Sequence, residues 1–161
     1  MFAGLVMRKW QLFILLVGVV VVLDQGTKLV VHTTFELHES RPVFANFFHF
    51  TYVQNPGAAF GLLSQLPASV LRLFFPLVTA VAVTALVIYF RIVPQQRMRT
   101  LSGTCLIIGG AIGNGIDRLW LGRVIDFIDL HWYMRHWPAF NLADSAICIG
   151  VGLLLLDAFR E

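Results

Sequence analysis

Four long apolar stretches dominate the chain, and each is long enough to form a membrane-spanning helix. We place these helices at about residues 10–32, 68–90, 100–119 and 139–159. At a rise of about 1.5 Å per residue, roughly 20 residues cross a hydrocarbon core of about 30 Å. The apolar pattern therefore predicts an all-α four-helix transmembrane bundle.

The segment between the first two apolar stretches is dense in aromatic residues at alternating positions. The aromatic residues of one parity are Phe44, Phe48, Phe50 and Tyr52. This alternation is typical of one or two β-strands, and Asn55-Pro56-Gly57 follows as a turn signal. A small aromatic sheet between membrane helices is favoured at the membrane surface, where amphipathic rings lie at the level of the lipid headgroups.

A second alternating segment lies between the third and fourth apolar stretches. Asp126 falls on an otherwise apolar parity, whereas Asp129 shares its parity with His131, so the two acids have different predicted surroundings. The two alternating segments lie at about residues 42–61 and 122–132. We expect a short interfacial loop or helix between the second segment and the last apolar stretch.

The composition supports a membrane environment and a single domain. Of the 161 residues, 58% are hydrophobic and only 13% are charged, whereas about a quarter of the residues in a soluble domain are charged. We expect one integral membrane domain over residues 1–161. The formal net charge is +3, but the basic residues form no basic stripe, so we expect no nucleic-acid partner.

The amino-terminal segment and the two cysteines do not change this picture. Arg8-Lys9 before an apolar run resembles a signal peptide, but no small-residue cleavage site follows, which favours an uncleaved helix. Cys105 and Cys148 lie in apolar runs without a CxxC partner or a nearby histidine, so we interpret both as buried thiols.

Four spanning helices bring both termini to the same side of the membrane, and the positive charges indicate which side that is. Basic residues are concentrated at the amino terminus and in the short second connection: Arg8, Lys9, Arg91, Arg97 and Arg99. By the positive-inside rule, we expect both termini in the cytoplasm, and the aromatic segment and the Asp126 loop at the outer face.

With that topology, the strongly polar residues in or beside the helices fall at one depth, near the outer face. They are Asp24, Asn55, Asn114, Arg118, Asp126 and Asp144, and Gly57 belongs to the same outer loop as Asn55. Pairs that share a helix face by spacing are Asn141 with Asp144, Asn114 with Arg118, and Asp24 with Lys28. Asp24 and Lys28 either belong to a site or form a simple intrahelical ion pair. Arg118 has a similar alternative, with its stem in lipid and its head group in water.

Asp126 and Asp144 differ from the other charged residues because neither has a cation close in sequence. Two carboxylates in a low-dielectric pocket share one proton, which supplies a base to activate water and an acid to protonate a leaving amine. Alternatively, each acid accepts hydrogen bonds separately, and the sequence leaves this choice open. Asp129, His131 and His136 match no standard metal-ligand spacing, so we expect no metal site.

Five short motifs stand in order along the chain. They are Leu23-Asp24-Gln25-Gly26-Thr27-Lys28, Asn55-Pro56-Gly57-Ala58-Ala59-Phe60, Gly113-Asn114-Gly115-Ile116-Asp117-Arg118, Gly122-Arg123-Val124-Ile125-Asp126-Phe127 and Phe140-Asn141-Leu142-Ala143-Asp144-Ser145. In this order, and over essentially the whole chain, they resemble the bacterial lipoprotein signal peptidase (signal peptidase II) family. Each motif alone is weak, but the set is highly specific. The departures, Pro56 and Gly115, fall at positions that the family pattern leaves variable.

The resemblance implies an aspartic endopeptidase of the bacterial inner membrane with Asp126 and Asp144 as its catalytic pair. It also implies a small outward-facing β-cradle, which would comprise about residues 42–61 and 122–132. It assigns supporting or substrate-binding positions to Asp24, Lys28, Asn55, Gly57, Asn114, Arg118 and Asn141. The implied substrate is a prolipoprotein whose lipobox cysteine carries diacylglycerol, cut just before that cysteine at the outer leaflet. The resemblance further implies no metal or organic cofactor, inhibition by cyclic peptides of the globomycin type, and contact with membrane lipids. We expect a monomer.

Two other classes of function are alternatives to a peptidase. A small proton-coupled transporter would use Asp24, Asp126 and Asp144 as relays, but all three are predicted near one face of the membrane. A non-catalytic membrane scaffold would need neither Asp126 nor Asp144. Addition of an extended peptide to the cradle, with close backbone approach at residues 57–59, fits the peptidase.

Overall fold

The structure is a computed structural model that describes residues 2–57 and 67–159, and within them it contains four helices and a four-stranded sheet. The helices are α1 (Phe2–Thr34), α2 (Ala68–Ile92), α3 (Met98–Trp120) and α4 (Leu142–Ala158). The strands are β1 (Ser40–Phe44), β2 (Phe48–Asn55), β3 (Val124–Trp132) and β4 (Arg135–His136). Both halves of the predicted cradle are therefore β-structure, and residues 58–61 of the first half lie outside the described residues.

All four predicted helices are present, with changes at their ends that have local causes. α1 begins at Phe2, earlier than predicted, because no proline interrupts the residues before the apolar run. α4 begins at Leu142, later than predicted, because Asn141 caps it. The Asn141 side chain accepts a hydrogen bond from the Asp144 N–H, and the Asp144 carboxylate accepts one from the Asn141 N–H.

Two of the four predicted spans pass a test of length and composition for membrane crossing. Within the described residues these are Arg8–Thr34 and Ala68–Ile92. Large apolar side chains are more than half exposed along both helices: Ile14, Val22, Leu73, Val81 and Ile88. A soluble protein rarely exposes such a continuous apolar surface, so this belt fits a lipid environment.

Small residues let α3 and α4 pack backbone against backbone, as the glycines of the third apolar stretch predict. A Cβ atom added to Gly103 would lie 2.8 Å from the Gly150 carbonyl oxygen, and the reverse distance would be 2.6 Å. A Cβ atom on Gly110 would collide with the Ala143 carbonyl oxygen, next to the capped start of α4. The position of the first turn of α4 therefore depends on α3.

The strands form one antiparallel sheet in the order β1-β2-β3-β4. A buried cluster of Val31, Tyr52, Ile125 and Phe127 joins the last turns of α1 to β2 and β3. The sheet is thus packed against one end of the helix bundle. At the opposite end of α1, a separate cluster surrounds Phe90 at the end of α2.

A β-bulge in β2 decides which of its side chains share a face with Asp126. The register of β2 on β3 shifts by one residue between Phe50 and Val53, which exchanges the two faces of the rest of the strand. Asn55 therefore lies on the face of Asp126, although alternation from Phe50 would place it on the other. Tyr52 is buried on the opposite face, so the predicted common side for Phe50 and Tyr52 is wrong.

The connection from β3 to α4 returns along β3 and forms no helix. Every residue of this connection is described, and it contains β4 followed by an extended segment. Phe140 pairs with Ile128 through two hydrogen bonds. The Phe140 N–H donates to the Ile128 carbonyl oxygen at 3.1 Å, and the Ile128 N–H donates to the Phe140 carbonyl oxygen at 2.8 Å. This pairing brings Asn141, the cap of α4, beside Asp126. The predicted interfacial segment is a loop with a short strand.

Candidate active site

One cavity lies between β3, the end of α3 and the beginning of α4, and its volume is about 600 Å³. Its polar lining includes Asn55, Gly57, Asn114, Arg118, Asp126 and Asp144. Its apolar lining includes Trp137, Pro138, Ala139, Phe140, Ile147 and Ile149. A largely apolar cavity on which a few polar groups converge is typical of a binding or active site.

Asp126 lies in this cavity with only 3% of its surface exposed. Its Oδ1 accepts a hydrogen bond from Asn141 Nδ2 at 2.7 Å, and its Oδ2 accepts one from Asn55 Nδ2 at 3.1 Å. Burial, followed by the charge of Asp144, raises the pKa of Asp126 to about 7, and the amide hydrogen bonds offset this only in part. At neutral pH the protonated and ionised forms of Asp126 are therefore comparably populated.

Asp144 lies in the first turn of α4 and faces the same cavity. Its Oδ1 accepts a hydrogen bond from Asn114 Nδ2 at 2.7 Å, and its Oδ2 accepts one from the Asn141 backbone N–H at 3.2 Å. The N-terminus of a helix also favours a negative charge at this position. Asn141 links the two acids, because its side chain binds Asp126 while its backbone binds Asp144. Asp126 and Asp144 thus share one cavity and one bridging asparagine.

A buried lysine connects the helices behind the two acids. Lys28 Nζ lies 2.9 Å from Asp24 Oδ2, 2.8 Å from Asp117 Oδ2 and 3.0 Å from Asn114 Oδ1. Its three N–H donors thus match three acceptors, and its side chain is only 2% exposed. A simple intrahelical ion pair describes only part of this arrangement, because Lys28 also binds α3.

Asp24 ties the start of α4 to α1. Its Oδ1 accepts a hydrogen bond from the Ala143 backbone N–H at 2.9 Å, and the residue is fully buried. That N–H is one of the donors that the first turn of a helix leaves without an intrahelical partner. Asp24 therefore helps to position Asp144, the next residue along α4.

Two residues of this network were not among the site candidates from the sequence. Asp117 is 1% exposed and accepts a hydrogen bond on Oδ2 from the Ile125 N–H at 3.1 Å, immediately before Asp126. Gln25 Nε2 donates to Asp24 Oδ2 at 3.1 Å and to Asp117 Oδ1 at 3.0 Å. Asp117 stands three residues after Asn114 on one helix face, and this spacing could have identified it. For Gln25 the sequence offers no comparable spacing, and only its place in the first motif could have identified it.

Arg118 and Gly57 form another side of the cavity. Arg118 Nη2 lies 3.4 Å from the Gly57 carbonyl oxygen, and its guanidinium carbon lies 4.3 Å from the centre of the Phe75 ring. Asn55 Oδ1 accepts a hydrogen bond from the Gly57 N–H at 3.0 Å, which shapes the turn after β2. Of the predicted close approach at residues 57–59, only Gly57 belongs to the described residues.

The two cysteines differ, which corrects their common interpretation. Cys105 is buried in the helix bundle, as predicted, but Cys148 is exposed and contributes to the cavity lining. The apolar pattern of a helix does not distinguish a side chain that faces lipid from one that faces a neighbouring helix, because both environments favour apolar residues.

All the site residues predicted from the sequence meet in this region. Asp126, Asp144, Asn55, Gly57, Asn114 and Arg118 line the cavity, while Asp24, Lys28 and Asn141 lie behind it. Two acids that share a buried site, one of them with a pKa near 7, can accept a proton from water and donate one to a leaving group.

Known proteins resemble this chain over nearly its whole length. The family model described as "Signal peptidase (SPase) II" matches residues 16–160. The lipoprotein signal peptidase of Syntrophotalea carbinolica is 47% identical over 158 residues, covering 96% of this chain and 95% of the relative. That of Geobacter metallireducens is 47% identical over 153 residues, covering 95% and 93%. A bacterial membrane enzyme solved by the in meso method at 2.3 Å superimposes with a TM-score of 0.82 at 36% identity, covering 92% of this chain and 87% of that one.

Proposed function

This chain belongs to the signal peptidase II family, and from that premise we propose that Asp126 and Asp144 are its catalytic pair. As a member of this family it is an aspartic peptidase that cleaves the signal peptides of prolipoproteins. The observation that carries the proposed pair is the single cavity that both carboxylates line. Membership of a peptidase family replaces the transporter and scaffold alternatives.

In the proposed reaction, a water molecule between the two acids attacks the carbonyl carbon of the scissile peptide bond. One acid, as the carboxylate, takes a proton from the water, and the other, in its protonated form, supplies the proton that the leaving amine needs. The C–N bond breaks, and the water oxygen remains on the new carboxyl group. The raised pKa of Asp126 favours it as the proton carrier at neutral pH, with Asp144 as the base.

The surrounding residues act on this pair by positioning it. Asn141 and Asn114 hold the carboxylates at hydrogen-bond distances of 2.7 Å, so neither acid is free to rotate away from the water. Lys28 in turn holds Asn114 and Asp24, which joins the position of α4 to α1 and α3. Such a preorganised site reduces the reorganisation that the reaction requires.

The position of the cavity supports a substrate anchored in the lipid. Ile149 lines the cavity and is also 59% exposed on the outside of α4, so the cavity reaches the surface that faces lipid. We place all four helices across the inner membrane, with both termini in the cytoplasm and the cavity near the outer face. The acyl chains of a diacylglyceryl cysteine then stay in lipid while the peptide bond before that cysteine enters the cavity.

The same proposal covers the other binding properties. One chain supplies every described residue that lines the cavity, which supports a monomer, and the reaction as proposed uses no metal or organic cofactor. Cyclic peptides of the globomycin type would inhibit by occupying the cavity between Asp126, Asp144 and Arg118, where the scissile peptide bond would otherwise lie.

Substitution of either acid tests the catalytic pair. Asp126→Asn and Asp144→Asn should each lower the turnover of a diacylglyceryl-modified prolipoprotein by about a thousandfold or more, because each removes one proton-transfer group. Asp157→Asn is the matched control, because Asp157 lies at the other end of α4, where it accepts a hydrogen bond from Thr100. This variant should turn over substrate at the wild-type rate. Turnover near the wild-type rate by either active-site variant would exclude the two-aspartate mechanism. An unmodified prolipoprotein, tested at the same concentration, examines the lipid requirement separately.

A further inference from the structure

A second polar cluster lies on the face of the sheet opposite Asp126. His49 of β2 pairs directly with Asp129 of β3, and His131 follows two residues after Asp129. Because alternate residues of a strand and their cross-strand partners share a face, the three side chains lie side by side. One nitrogen or oxygen atom from each of them lies within 4.8 Å of those of the other two.

One nitrogen of this cluster, Nδ1 of His131, has no hydrogen-bond partner within residues 2–57 and 67–159. His131 is only 7% exposed, and its Nδ1 is buried without a hydrogen-bond partner among the described residues. The closest carboxylate contact, Asp129 Oδ2, is 3.8 Å away, which is too long for a hydrogen bond. A buried polar atom without a partner is unfavourable, so Nδ1 of His131 points to a ligand between the rings and the carboxylate.

Neighbouring side chains already orient the other two groups. His136 Nδ1 lies 3.0 and 3.2 Å from the two carboxylate oxygens of Asp129, and its ring stacks on that of His131 with 4.5 Å between centroids. His49 Nδ1 lies 3.2 Å from Ser40 Oγ. When this Nδ1–H donates to the hydroxyl, Nε2 of His49 keeps its lone pair. Partners of this kind orient the imidazole and carboxylate ligands of metal ions.

We propose that His49, Asp129 and His131 bind a divalent transition-metal ion such as Zn²⁺. Two imidazoles and a carboxylate are ligands that Zn²⁺ prefers, at about 2.0–2.2 Å, and a water molecule completes a four-coordinate shell. The side chains need to close in by on the order of 1 Å to reach these distances. His136 acts as a positioning residue that holds the carboxylate of Asp129. The ion links β2 to β3 on the side of the sheet that faces away from Asp126.

The first test uses the full-length wild-type protein in detergent without an affinity tag, because a polyhistidine tag would itself bind metal. Calorimetric titration with Zn²⁺ should show one ion per chain with a Kd of about 10 μM or tighter. Zn²⁺ should also protect His49, but not the exposed His38, from diethyl pyrocarbonate, as read by mass spectrometry. Absence of one-to-one binding, or modification of His49 at an unchanged rate in saturating Zn²⁺, would overturn the proposal.

Substitutions then locate the ion. His49→Gln and His131→Gln should each weaken Zn²⁺ binding at least about tenfold, and the double variant should lose the site. His38→Asn is the control with unchanged affinity, because its φ of 71° suits asparagine and the residue lies outside the cluster. Unchanged affinity in the double variant would refute the ligand assignment. If that variant does not fold, the protection of His49 in the wild-type protein decides. None of these measurements depends on peptide cleavage, so they are independent of the proposed peptidase site.

Discussion

The surroundings of Asp126 keep its carboxyl group close to the point of ionisation at neutral pH. Burial and the charge of Asp144 disfavour the anion, whereas the amide groups of Asn55 and Asn141 favour it. The outcome is a pKa of about 7, at which one carboxyl group both donates and accepts protons readily. None of these three partners is adjacent to Asp126 in the sequence: Asn55 ends β2, whereas Asn141 and Asp144 lie in the cap and first turn of α4.

The raised pKa of Asp126 predicts that the folded protein loses stability as the pH rises. The ordinary pKa of the aspartate is 3.8, so from there to about pH 7 the folded state binds a proton that the unfolded state releases. The resulting stabilisation is complete below the ordinary pKa and is lost as the pH rises through about 7. Its size is on the order of a few kcal/mol.

Thermal melts in detergent measure this effect. The Tm of the wild-type protein should fall relative to that of Asp126→Asn between about pH 4 and 8, because the asparagine carries no titrating proton. Titrating groups that do not interact with Asp126 are common to the two proteins and cancel in the comparison. Parallel Tm curves would show that Asp126 has the same pKa in the folded and unfolded states.

The two buried ion pairs of Lys28 predict a large loss of stability when the lysine charge is removed. Lys28→Met would leave Asp24 and Asp117 as buried carboxylates without a cation, which costs about 3–5 kcal/mol. Thermal melts should show this against Arg99→Met, a control that removes an exposed cation. Adding Asp24→Asn and Asp117→Asn to Lys28→Met should restore part of the loss. If it restores nothing, the effect comes from packing and not from unpaired charge.

At the scale of secondary structure, the proposed active site depends on where α4 begins. Its first turn is held by the Asn141 cap, by the carboxylate of Asp24 on the Ala143 N–H, and by close packing against Gly110 of α3. These contacts come from different elements and all act on the turn that carries Asp144. A small shift of α4 against α3 would therefore move one acid of the proposed pair relative to the other.

A methyl group at Gly110 should disturb both stability and cleavage. In Gly110→Ala the added carbon meets the Ala143 carbonyl oxygen and pushes the first turn of α4 away from α3. Gly152→Ala is the matched control in α4, because nothing lies within 4 Å of its added carbon. Alanine favours a helix over glycine by about 1 kcal/mol, so this control should be as stable as wild type or slightly more so.

Thermal melts and cleavage of a lipid-modified substrate compare these two variants. Gly110→Ala should lose Tm and turnover together, whereas Gly152→Ala should retain both. Equal behaviour of the two proteins would contradict a tight contact between α3 and the start of α4.

At the scale of the whole molecule, the two ends of the bundle differ in chemistry. At one end Lys9 Nζ donates to the Arg91 and Val93 carbonyl oxygens at the end of α2, at 3.1 and 2.6 Å, and lies over the Phe90 ring. The other end carries the sheet, the cavity and a group of exposed aromatic residues: Trp120, Trp132, Tyr133 and Trp137. Basic residues at one end and amphipathic aromatic rings at the other agree with the proposed orientation in the membrane.

Cysteine labelling of intact cells tests this orientation. In a protein with Cys105 and Cys148 replaced by alanine, Glu36→Cys in the turn before β1 should react with a membrane-impermeant maleimide. Gln96→Cys, between α2 and α3, should react only after the membrane is permeabilised. The opposite pattern would reverse the orientation, and equal labelling of both sites in intact cells would contradict the spanning arrangement.

The sequence by itself determined the four helices and both strand-forming segments, and its motifs predicted which polar residues meet. Hydrophobic periodicity is a local property, so the four helices and both halves of the cradle could be predicted from it. Most of their ends were placed within a few residues. The ordered motifs named the polar residues that the structure brings together around one cavity. The burial of Asp126 was visible from its apolar parity.

Only the tertiary structure decided how distant segments meet. The bulge in β2 places Asn55 beside Asp126, and strand pairing places His49 beside Asp129. The packing of α1 against α3 brings Asp117 to Lys28, where it forms a second ion pair beside that with Asp24. Strand register and helix contacts depend on the combined burial of segments far apart in sequence, so no local pattern encodes them. The pKa of Asp126 belongs to this level too, since it arises only when β2 and the start of α4 close around the carboxyl group.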